Sequence, residues 1–340
     1  MSKERRKAVT MADVARAAEV SATTVSHVIN NTATISDDTT RRVLDAIAAL
    51  HYQPKASAEL RRGKRVIGIF APDIANEFYS SLIQVICEEA WNHDYAVMVC
   101  DTRHHEEAES SFIKSLLAIG VCGLIFLGGL ADENYILEAA KQVPVVLGDR
   151  TILNHPMDAV GTDNLDIMRR MIARLAAQGY RKLGYVGQDL DMSNVNDRYM
   201  GYKMGLEENG LVANPDWIHV TKSLRLNKAA NANALIKRVL HCGGPLPEAF
   251  LCSSDLIAVG VMAGLQEEGY RIPQDIGVVG FDDISIAAFT QPPLTTIAQN
   301  IPQLGKKCFS ALLSKMENPA HTSVQIVVSA KIITRGSVRL

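Results

Sequence analysis

From Val66 onward, short apolar runs alternate with longer segments of helical pattern, and this alternation restricts the fold more than any other feature of the chain. The runs are VIGIFAP, AVMVCDT, GLIFLGG, PVVLGD, KLGYVG, AFLCSSD and IGVVGFDD. They are rich in Val, Ile and Leu and lack polar alternation, which is typical of parallel strands buried on both faces. The helical segments between them would complete βαβ units. The pattern therefore predicts an α/β body with parallel sheet, divided into two lobes.

The first 65 residues differ from this body in charge. They contain twelve Lys or Arg residues against seven Asp or Glu, a net charge of +5. Because the whole chain of 340 residues has a net charge of −2, the remainder carries −7. A basic segment ahead of an acidic body indicates that the first 65 residues meet a polyanion, although a solvated charged tail would have the same composition.

Three short helices are predicted within this basic segment. Thr10 caps the first, with Asp13 near the capping-box position, and its apolar face would consist of Val14, Ala17 and Ala18. After a turn at Glu19 and Val20, Ser21 caps a second helix with a buried face formed by Val25, Val28 and Ile29. Ser36 caps a third, whose apolar stripe is Val43, Ala46, Ile47 and Leu50. Two helices joined by a tight turn and backed by a third describe a helix-turn-helix.

The second of these helices, in SATTVSHVIN, has only short polar side chains on its outer face. Its residues have low helix propensity, so a requirement other than helicity accounts for them. A helix fits the major groove of DNA, where Ala22 and Thr23 would let its backbone approach the bases and His27 could donate to guanine. Phosphate oxygens suit the other polar residues, which are Ser21, Ser26 and Asn30. A merely amphipathic helix is the alternative.

Polar residues also follow several of the predicted strands. In open α/β sheets the ligand crevice lies at the carboxyl ends of the strands, so these residues would converge where a small molecule binds. They are Asp73, Asp149, Asp163, Ser254, Asp255, Asp282 and Asp283. Each of them could equally cap a helix.

Several classes of protein lack support in the sequence. There is no GxGxxG, GxxxxGK[ST], GxSxG or HExxH motif, so no enzyme is predicted. The one cluster that resembles a metal site is His104 to Glu107, but adjacent histidines cannot share a helix face, and an exposed first helical turn is expected instead. The six cysteines are scattered singly and predict reduced thiols, with no metal or other cofactor. A charged N-terminus without an apolar region, and no run long enough to span a membrane, predict a cytoplasmic protein.

The segment TMADVARAAEVSATTVSHVINNTATISDDTTRRVLDAIAALHYQP resembles the DNA-binding head of the lactose-repressor/galactose-repressor (LacI/GalR) family. Within it, TTVSHVIN is most similar to the reading helix of purine repressors. Family-like segments continue in order at VIGIFAPDIANEFYSSL, AVGTDN, NDRYMGY, DLIAVGVMAGLQEEGYRIPQDIGVVGFDDI and PPLTTIAQNIPQLG. The resemblance implies an N-terminal all-α helix-turn-helix DNA-binding domain. It also implies a two-lobed, type I periplasmic-binding-protein-like α/β effector domain that dimerises.

The polar, basic segment KASAELRRGKR marks the boundary between the two domains. We predict the head at residues 1–53, a hinge or linker at 54–65 and the effector-binding and dimerisation domain at 66–340. Lobe one would comprise about 66–164 plus 292–323, and lobe two about 165–291 plus 324–340. In the family the hinge folds on operator DNA and inserts a leucine into the minor groove. Leu60 matches it, although Leu60 follows Pro54 by six residues where the family has seven, and Arg61 stands at the usual position.

The resemblance also implies contact residues. Base contacts fall on Ala22, Thr23 and His27, and phosphate contacts on Thr10, Ser21, Thr24, Ser26, Asn30, Ser36 and Thr39. In the effector cleft, the family's arginine matches Arg198 and its aspartate matches Asp282, although these two could also pair for structural reasons. The remaining matches in the cleft are Asp73, Asn76, Phe78, Tyr79, Asp149, Asn194 and Ser254.

The residues of the cleft favour a sugar or sugar acid as the effector. Purine repressors have an arginine and a stacking aromatic residue where this chain has Met192 and Ser223-Leu224. Carboxylate, amide and guanidinium groups around Phe78 and Tyr79 suit a polyhydroxylated ring, whose C–H face packs on aromatics while its hydroxyls take hydrogen bonds. A purine or nucleoside remains the alternative.

The sequence therefore predicts a ligand-responsive, sequence-specific DNA-binding repressor of carbohydrate metabolism genes, associated with the nucleoid. A homodimer, with a higher oligomer left open, would bind a palindromic operator, and a small molecule in the cleft would change its affinity for DNA. A solute-binding protein for transport is a competing prediction, against which the basic head and the absent signal peptide argue. An enzyme on an α/β scaffold is the other.

Overall fold

A computed structural model describes residues 9–30, 33, 35–50, 65–129, 133–152, 155–318 and 321–339. The chain divides into two compact units, Met1–Lys64 and Arg65–Leu340. Leu60, Arg61 and residues 54–64 of the predicted hinge lie outside the described residues. Within the described ranges, no helix combines the length and the apolar character that a membrane crossing requires.

The first unit contains three helices, α1 (Met11–Ala17), α2 (Ala22–Asn30) and α3 (Asp37–Ala49). Their predicted N-caps are confirmed. The backbone N–H of Thr10 donates to Asp13 Oδ2 at 2.9 Å, and Ser21 Oγ accepts from the N–H of Thr24 at 3.0 Å. Ser36 Oγ accepts in the same way from the N–H of Thr39 at 3.4 Å. Each cap satisfies a backbone donor that the helix itself leaves unpaired.

A small apolar core holds the three helices together. Its buried residues are Val14, Ala15, Ala18, Val25, Val43 and Ala46, against which Val28, Ile29, Ile47 and Leu50 pack. The predicted faces of α2 and α3 are confirmed, but the prediction for α1 is wrong at one position. Ala17 is exposed and Ala15 is buried instead. The buried face of α1 is centred between Val14 and Ala15, and Ala17 points to its side because successive helical residues are about 100° apart.

The second unit is built on two parallel sheets. Its strands are β1 (Arg65–Ala71), β2 (Tyr95–Asp101), β3 (Gly123–Leu127), β4 (Val145–Gly148), β5 (Asp158–Thr162), β6 (Leu183–Gly187), β7 (Ile218–Val220), β8 (Ala249–Cys252), β9 (Gly277–Val279), β10 (Thr296–Ala298), β11 (Gln325–Val328) and β12 (Lys331–Ile333). The sheet of lobe one has the order β11-β5-β4-β3-β1-β2, and that of lobe two has the order β7-β6-β8-β9. All pairings within both sheets are parallel, whereas β10 and β12 form a separate antiparallel pair.

Helices cover both sheets, as the alternating pattern predicts. They are α4 (Glu77–Asn92), α5 (Glu106–Ile119), α6 (Glu133–Ala140), α7 (Asn164–Ala177), α8 (Ser193–Glu208), α9 (Lys228–His241), α10 (Asp255–Glu267) and α11 (Ile301–Glu317). Each of the seven apolar runs contains a strand, so the α/β prediction is confirmed. The run at β2 differs from the others, because this strand lies at the edge of its sheet and exposes Met98 and Val99.

The structure places the boundaries between the lobes differently from the prediction. From residue 65 to 339, the described chain passes between the lobes three times: after β5, after β10 and after β11. Strand β10 forms a bridge with Asp282 of lobe two through Ala298, whereas β11 pairs with β5 of lobe one. The second and third crossings therefore lie after residues 298 and 328, not at 292 and 323. Backbone pairing between distant strands sets these positions, and local sequence does not encode it.

Candidate functional site

The outer face of α2 has small and polar residues at its surface. Ser21, Ala22 and Thr23 are exposed at the start of the helix, and Thr24, Ser26 and His27 are half-buried. Asn30 is the last residue of α2. The face lies opposite buried Val25, so the helix presents its N-terminal turn and its short side chains outward. An exposed helix N-terminus with small residues suits the approach of a phosphate or of the floor of a DNA groove.

The other predicted phosphate contacts lie at the starts of the neighbouring helices, where they also act as caps. Thr10 precedes α1, and Ser36 and Thr39 occupy the start of α3. Sequence reasoning missed Arg42, whose Nη2 donates to the carbonyl oxygen of Ala18 at 2.7 Å. This bond ties α3 to the turn between α1 and α2, and it leaves part of the guanidinium exposed.

The second unit contains a polar cavity between its two lobes. The space between its walls, including the part that is open to solvent, has a volume of about 300 Å³. Eight of the nine predicted effector residues line it, namely Asn76, Phe78, Tyr79, Asp149, Asn194, Arg198, Ser254 and Asp282. Parallel strands explain this convergence, because Asp149, Ser254 and Asp282 each follow the carboxyl end of a strand.

The other strand-end residues have structural partners. Asp73 does not line the cavity, and its Oδ1 accepts from the N–H of Ala75 at 3.1 Å. Asp163 caps α7 by accepting from the N–H of Asp166 at 2.9 Å. Asp255 is fully buried, where it accepts from Thr296 Oγ1 at 2.6 Å, and Asp283 pairs with Arg335 at 2.7 Å. Some strand-end residues of this unit therefore line the cavity, whereas others, such as Asp163, cap a helix.

Arg198 is the central cation of the cavity. It lies on α8, is 4% exposed, and its guanidinium stacks 3.7 Å from the ring centroid of Phe281. Its Nε donates to Asn164 Oδ1 at 2.8 Å and its Nη1 donates to the carbonyl oxygen of Ser253 at 2.7 Å. Two carboxylates flank it, with Asp282 at 3.6 Å and Asp149 at 4.0 Å. Arg198 thus pairs with Asp282, and it also keeps an edge directed at the cavity.

Burial raises the pKa of both flanking carboxylates. Burial raises the pKa of Asp149 to about 7, although Arg198 and a 2.6 Å hydrogen bond from Asn194 oppose the shift. Burial likewise raises the pKa of Asp282, against the effects of Arg198 and of Gln299, which donates at 2.8 Å. A buried carboxyl near its pKa can accept or donate a hydrogen bond, so it adapts to either partner.

Several buried polar atoms of the cavity wall have no hydrogen-bond partner among the described residues. They are Asp149 Oδ1, Gln188 Oε1, Arg198 Nη2 and Ser254 Oγ. Buried polar atoms are almost always paired, so a group of orphans around one cavity indicates a polar ligand. Asp149 Oδ1 and Arg198 Nη2 are 4.0 Å apart, a separation that one ligand hydroxyl can bridge by donating to the first and accepting from the second.

Sequence reasoning missed four residues of the wall, which are Gln188, Val195, Lys228 and Ser253. Gln188 follows strand β6 and Ser253 follows β8, so the strand-end rule could have found both. Lys228 is the first residue of α9, and nothing in its local sequence distinguishes it from a solvated lysine. Met192 and Leu224, at the positions where purine repressors differ, are buried.

The two lobes are joined across the cavity by direct hydrogen bonds. Ser285 of lobe two donates its N–H to Glu77 Oε1 at 2.8 Å and its hydroxyl to the same carboxylate at 2.6 Å. The N–H of Thr151 in lobe one donates to Ser193 Oγ at 3.0 Å. These contacts tie the two lobes directly to each other.

The segment from His104 to Glu107 begins just before α5 and continues into its first turn. No group of three or more potential ligands occurs within the described ranges. Glu106 and Glu107 are exposed in the first turn of α5, as expected, but His104 is half-buried. Burial, with Lys228 and Arg225 of lobe two nearby, lowers the pKa of His104 to about 4.

Comparison with known proteins identifies both the helix-turn-helix unit and the unit that contains the cavity. Residues 10–55 match the model of the lacI family of bacterial regulatory proteins, and residues 172–338 match the periplasmic binding protein-like domain. The chain is 29% identical over 341 residues to the HTH-type transcriptional repressor CytR of Escherichia coli K12, covering 99% of this chain and 98% of that protein. It is 30% identical over 332 residues to the ribose operon repressor of Haemophilus influenzae, covering 97% and 98%.

Among solved structures, the lac repressor dimer bound to operator and the anti-inducer ONPF superposes with a TM-score of 0.71 at 26% identity, covering 97% of this chain and 99% of that chain. All three of these relatives are repressors. The predicted fold class is confirmed by both family models and by this superposition. The chain therefore belongs to the lacI family of bacterial regulatory proteins, and it is a transcription repressor with a helix-turn-helix head and a periplasmic-binding-protein-like ligand domain.

Proposed function

We propose that this repressor binds a palindromic operator as a homodimer through the outer face of α2, and that a small sugar in the interlobe cavity changes its affinity for the operator. Contact residues on the head would be the ten predicted from the sequence, together with Leu60 of the hinge, which lies outside the described residues. In the cavity, the eight lining residues that were predicted would act together with Gln188 and Ser253. The lac repressor, a relative with the same fold, is a dimer bound to operator and to a small molecule, which supports this arrangement.

The unpartnered polar atoms of the cavity are the observation that carries the sugar proposal. A sugar hydroxyl both donates and accepts, so it can satisfy Asp149 Oδ1 and Arg198 Nη2 together. Phe78 and Tyr79 are buried side by side with ring centroids 5.1 Å apart, and they offer an apolar surface for the C–H face of a ring.

The DNA-binding face is tested with operators selected from random DNA by the full chain. Thr23→Ala and His27→Ala should each weaken binding to the selected sequence by roughly 5- to 150-fold, because a good base contact contributes about 1–3 kcal/mol. Binding to non-specific DNA should change little, since phosphate contacts dominate it. Ala49→Ser, on the exposed side of α3, serves as the matched control. Unchanged specificity in both α2 variants would exclude this face as the reader.

The effector is tested by a thermal-shift screen of neutral sugars, sugar acids, purines and nucleosides. A ligand at 100 times its Kd stabilises the protein by about 2.7 kcal/mol, which raises the melting temperature measurably. Ligands that raise it are then added to the operator-binding assay. A sugar that both stabilises the chain and changes operator affinity supports the proposal, whereas a purine or nucleoside that does so in place of sugars overturns it.

A further inference from the structure

Lys228 is a buried lysine in the wall of the cavity. It is 6% exposed, and its Nζ donates to the carbonyl oxygen of Arg225 at 3.1 Å. No carboxylate oxygen of the described residues lies within 4.0 Å of this ammonium, in contrast to other lysines such as Lys315, which pairs with Asp158 at 2.7 Å. An ammonium that is removed from water without a close counterion is strongly disfavoured.

The position of Lys228 in its helix adds to this imbalance. It is the first residue of α9, where the positive end of the helix dipole repels a cation, and the first turn of α9 contains no acidic residue. Arg198 lies in the same cavity wall. Burial lowers the pKa of Lys228, and although Asp73 and Asp282 oppose the shift, Arg198 reinforces it. An anion placed beside Nζ would relieve all three unfavourable effects at once.

The backbone around Lys228 fixes this residue at the cavity. Asn227, just before it, adopts the left-handed conformation with φ of 48°, so α9 begins abruptly at the cavity wall. Ala229, which follows Lys228, packs against Gly260 of α10. A Cβ at position 260 would collide with the carbonyl oxygen of Ala229. The start of α9 therefore packs closely against α10, with Lys228 at the cavity.

A second, independent observation comes from another residue that lines the same cavity. Ser254 precedes α10 and is 6% exposed, yet its Oγ neither caps the helix nor has any other partner among the described residues. A hydroxyl donor, an ammonium and the N-terminal ends of α9 and α10 thus belong to one cavity wall. Oxygens of an anionic group would accept from Lys228 Nζ and from Ser254 Oγ.

We propose that the effector is an anionic sugar, whose carboxylate or phosphate group binds at Lys228 and Ser254 while its hydroxyls bind at Arg198 and the two carboxylates. The inference rests on the proposed function, because it takes the cavity as the effector site. It narrows the ligand from sugars in general to those that carry one acidic group.

Matched ligand pairs test the inference on the full chain by calorimetry and thermal shift. Each neutral sugar is compared with its own anionic forms. D-ribose is paired in turn with D-ribonate and ribose 5-phosphate, and D-glucose with D-gluconate, D-glucuronate and glucose 6-phosphate. We expect an acid or phosphate to bind at least 10-fold more tightly than its neutral partner. The carboxylate and phosphate arms distinguish the two kinds of anionic group. A neutral sugar that binds as tightly as its acids overturns the inference.

Variants of Lys228 provide the second arm. Lys228→Met keeps an unbranched apolar side chain one atom shorter and removes the charge, so it should weaken binding of the anionic sugar by roughly 10- to 150-fold, the range for one charge-assisted hydrogen bond. The neutral partner should bind Lys228→Met no more weakly than wild type. Lys222→Met removes a lysine in the same segment whose side chain is 74% exposed, and it should change neither affinity.

The unliganded Lys228→Met protein gives a readout that needs no ligand. Its melting temperature should equal or exceed that of wild type, because the substitution removes an unbalanced buried charge. A marked fall would show that Lys228 is a structural residue and would overturn the inference. If no sugar of any kind binds in the cavity, the proposed function itself fails. If neutral sugars bind and regulate the protein but acids do not, only the anionic class fails.

Discussion

The hydrogen bonds between Glu77 and Ser285 should control how firmly the two lobes close. Glu77 accepts from both the N–H and the hydroxyl of Ser285, and neither residue lines the cavity. Because both are at least partly exposed, each donor contributes about 1 kcal/mol, below the range for buried charged pairs. Glu77→Ala removes both bonds, so it should favour the open form by about 2 kcal/mol, or about 30-fold.

Hydrogen exchange at Thr151 measures this shift at a distance. The N–H of Thr151 is protected by a separate interlobe bond to Ser193, so it exchanges when the lobes part. In Glu77→Ala its protection should fall about 30-fold, and in Ser285→Ala, which keeps the N–H donor, about 5-fold. The double variant should match Glu77→Ala, because the hydroxyl then has no carboxylate to lose. Glu88→Gln, which alters an exposed pair within α4, is the control.

Two results would refute this reasoning. If Thr151 keeps its protection in Glu77→Ala while strand amides of both sheets remain protected, the contact does not hold the lobes together. Equal effects of Glu77→Ala and Glu88→Gln would lead to the same conclusion, since they would reflect a general change in charge on α4.

Three further predictions concern stability. Val25→Ala should destabilise the head by about 2–3 kcal/mol, from two lost methyl groups and the remaining cavity, and should lower the unfolding temperature of the head. Burial alone would raise the pKa of Asp158, but hydrogen bonds from Lys315, His321 and Val324 lower it. The stability that this carboxylate contributes is therefore present above its unfolded pKa of about 3.9 and is lost below about pH 4. In denaturant titrations, the free energy of unfolding of Asp158→Asn should depend less steeply on pH in this acid range. The pKa of His104 is lowered to about 4, so as the pH falls the unfolded chain protonates this histidine before the folded chain does. The free energy of unfolding should therefore fall by up to about 3 kcal/mol between pH 6.5 and pH 4. His104→Gln should not show this fall. The charged and titratable groups that face His104 are Lys228, Arg225, Asp189 and His105.

Local features of the fold were predictable because short-range chemistry determines them. Thr10, Ser21 and Ser36 precede apolar periodic segments, and the hydrogen bonds of a cap reach only three residues along the chain. The apolar runs without alternation indicate strands that helices cover on both faces. Strands β7, β10 and β12 have three residues each and lie in no longer apolar run, so the sequence did not reveal them.

The cavity was partly predictable for a similar reason. Asp149, Ser254 and Asp282 were found by their positions after strands, and Arg198 only by resemblance to the family. Long-range contacts left no trace in local sequence. Glu77 and Ser285 are 208 positions apart, and the burial of Lys228 depends on how closely α9 approaches α10. Which strand-end residues cap and which face the ligand is also decided by tertiary packing, as Asp163 and Asp149 show.

The three passages between the lobes have a consequence for how the protein is made. Lobe one begins at β1, yet its sheet is complete only when β11 has been synthesised and pairs with β5. Between the ends of those two strands the ribosome must add 166 residues, because β5 ends at Thr162 and β11 at Val328. At 5–20 residues per second, a nascent lobe one waits roughly 10–30 s with the edge of β5 unpaired. During that interval the unpaired edge of β5 is a surface to which a chaperone can bind. Slow codons in the segment for lobe two would lengthen the time for which this edge is exposed.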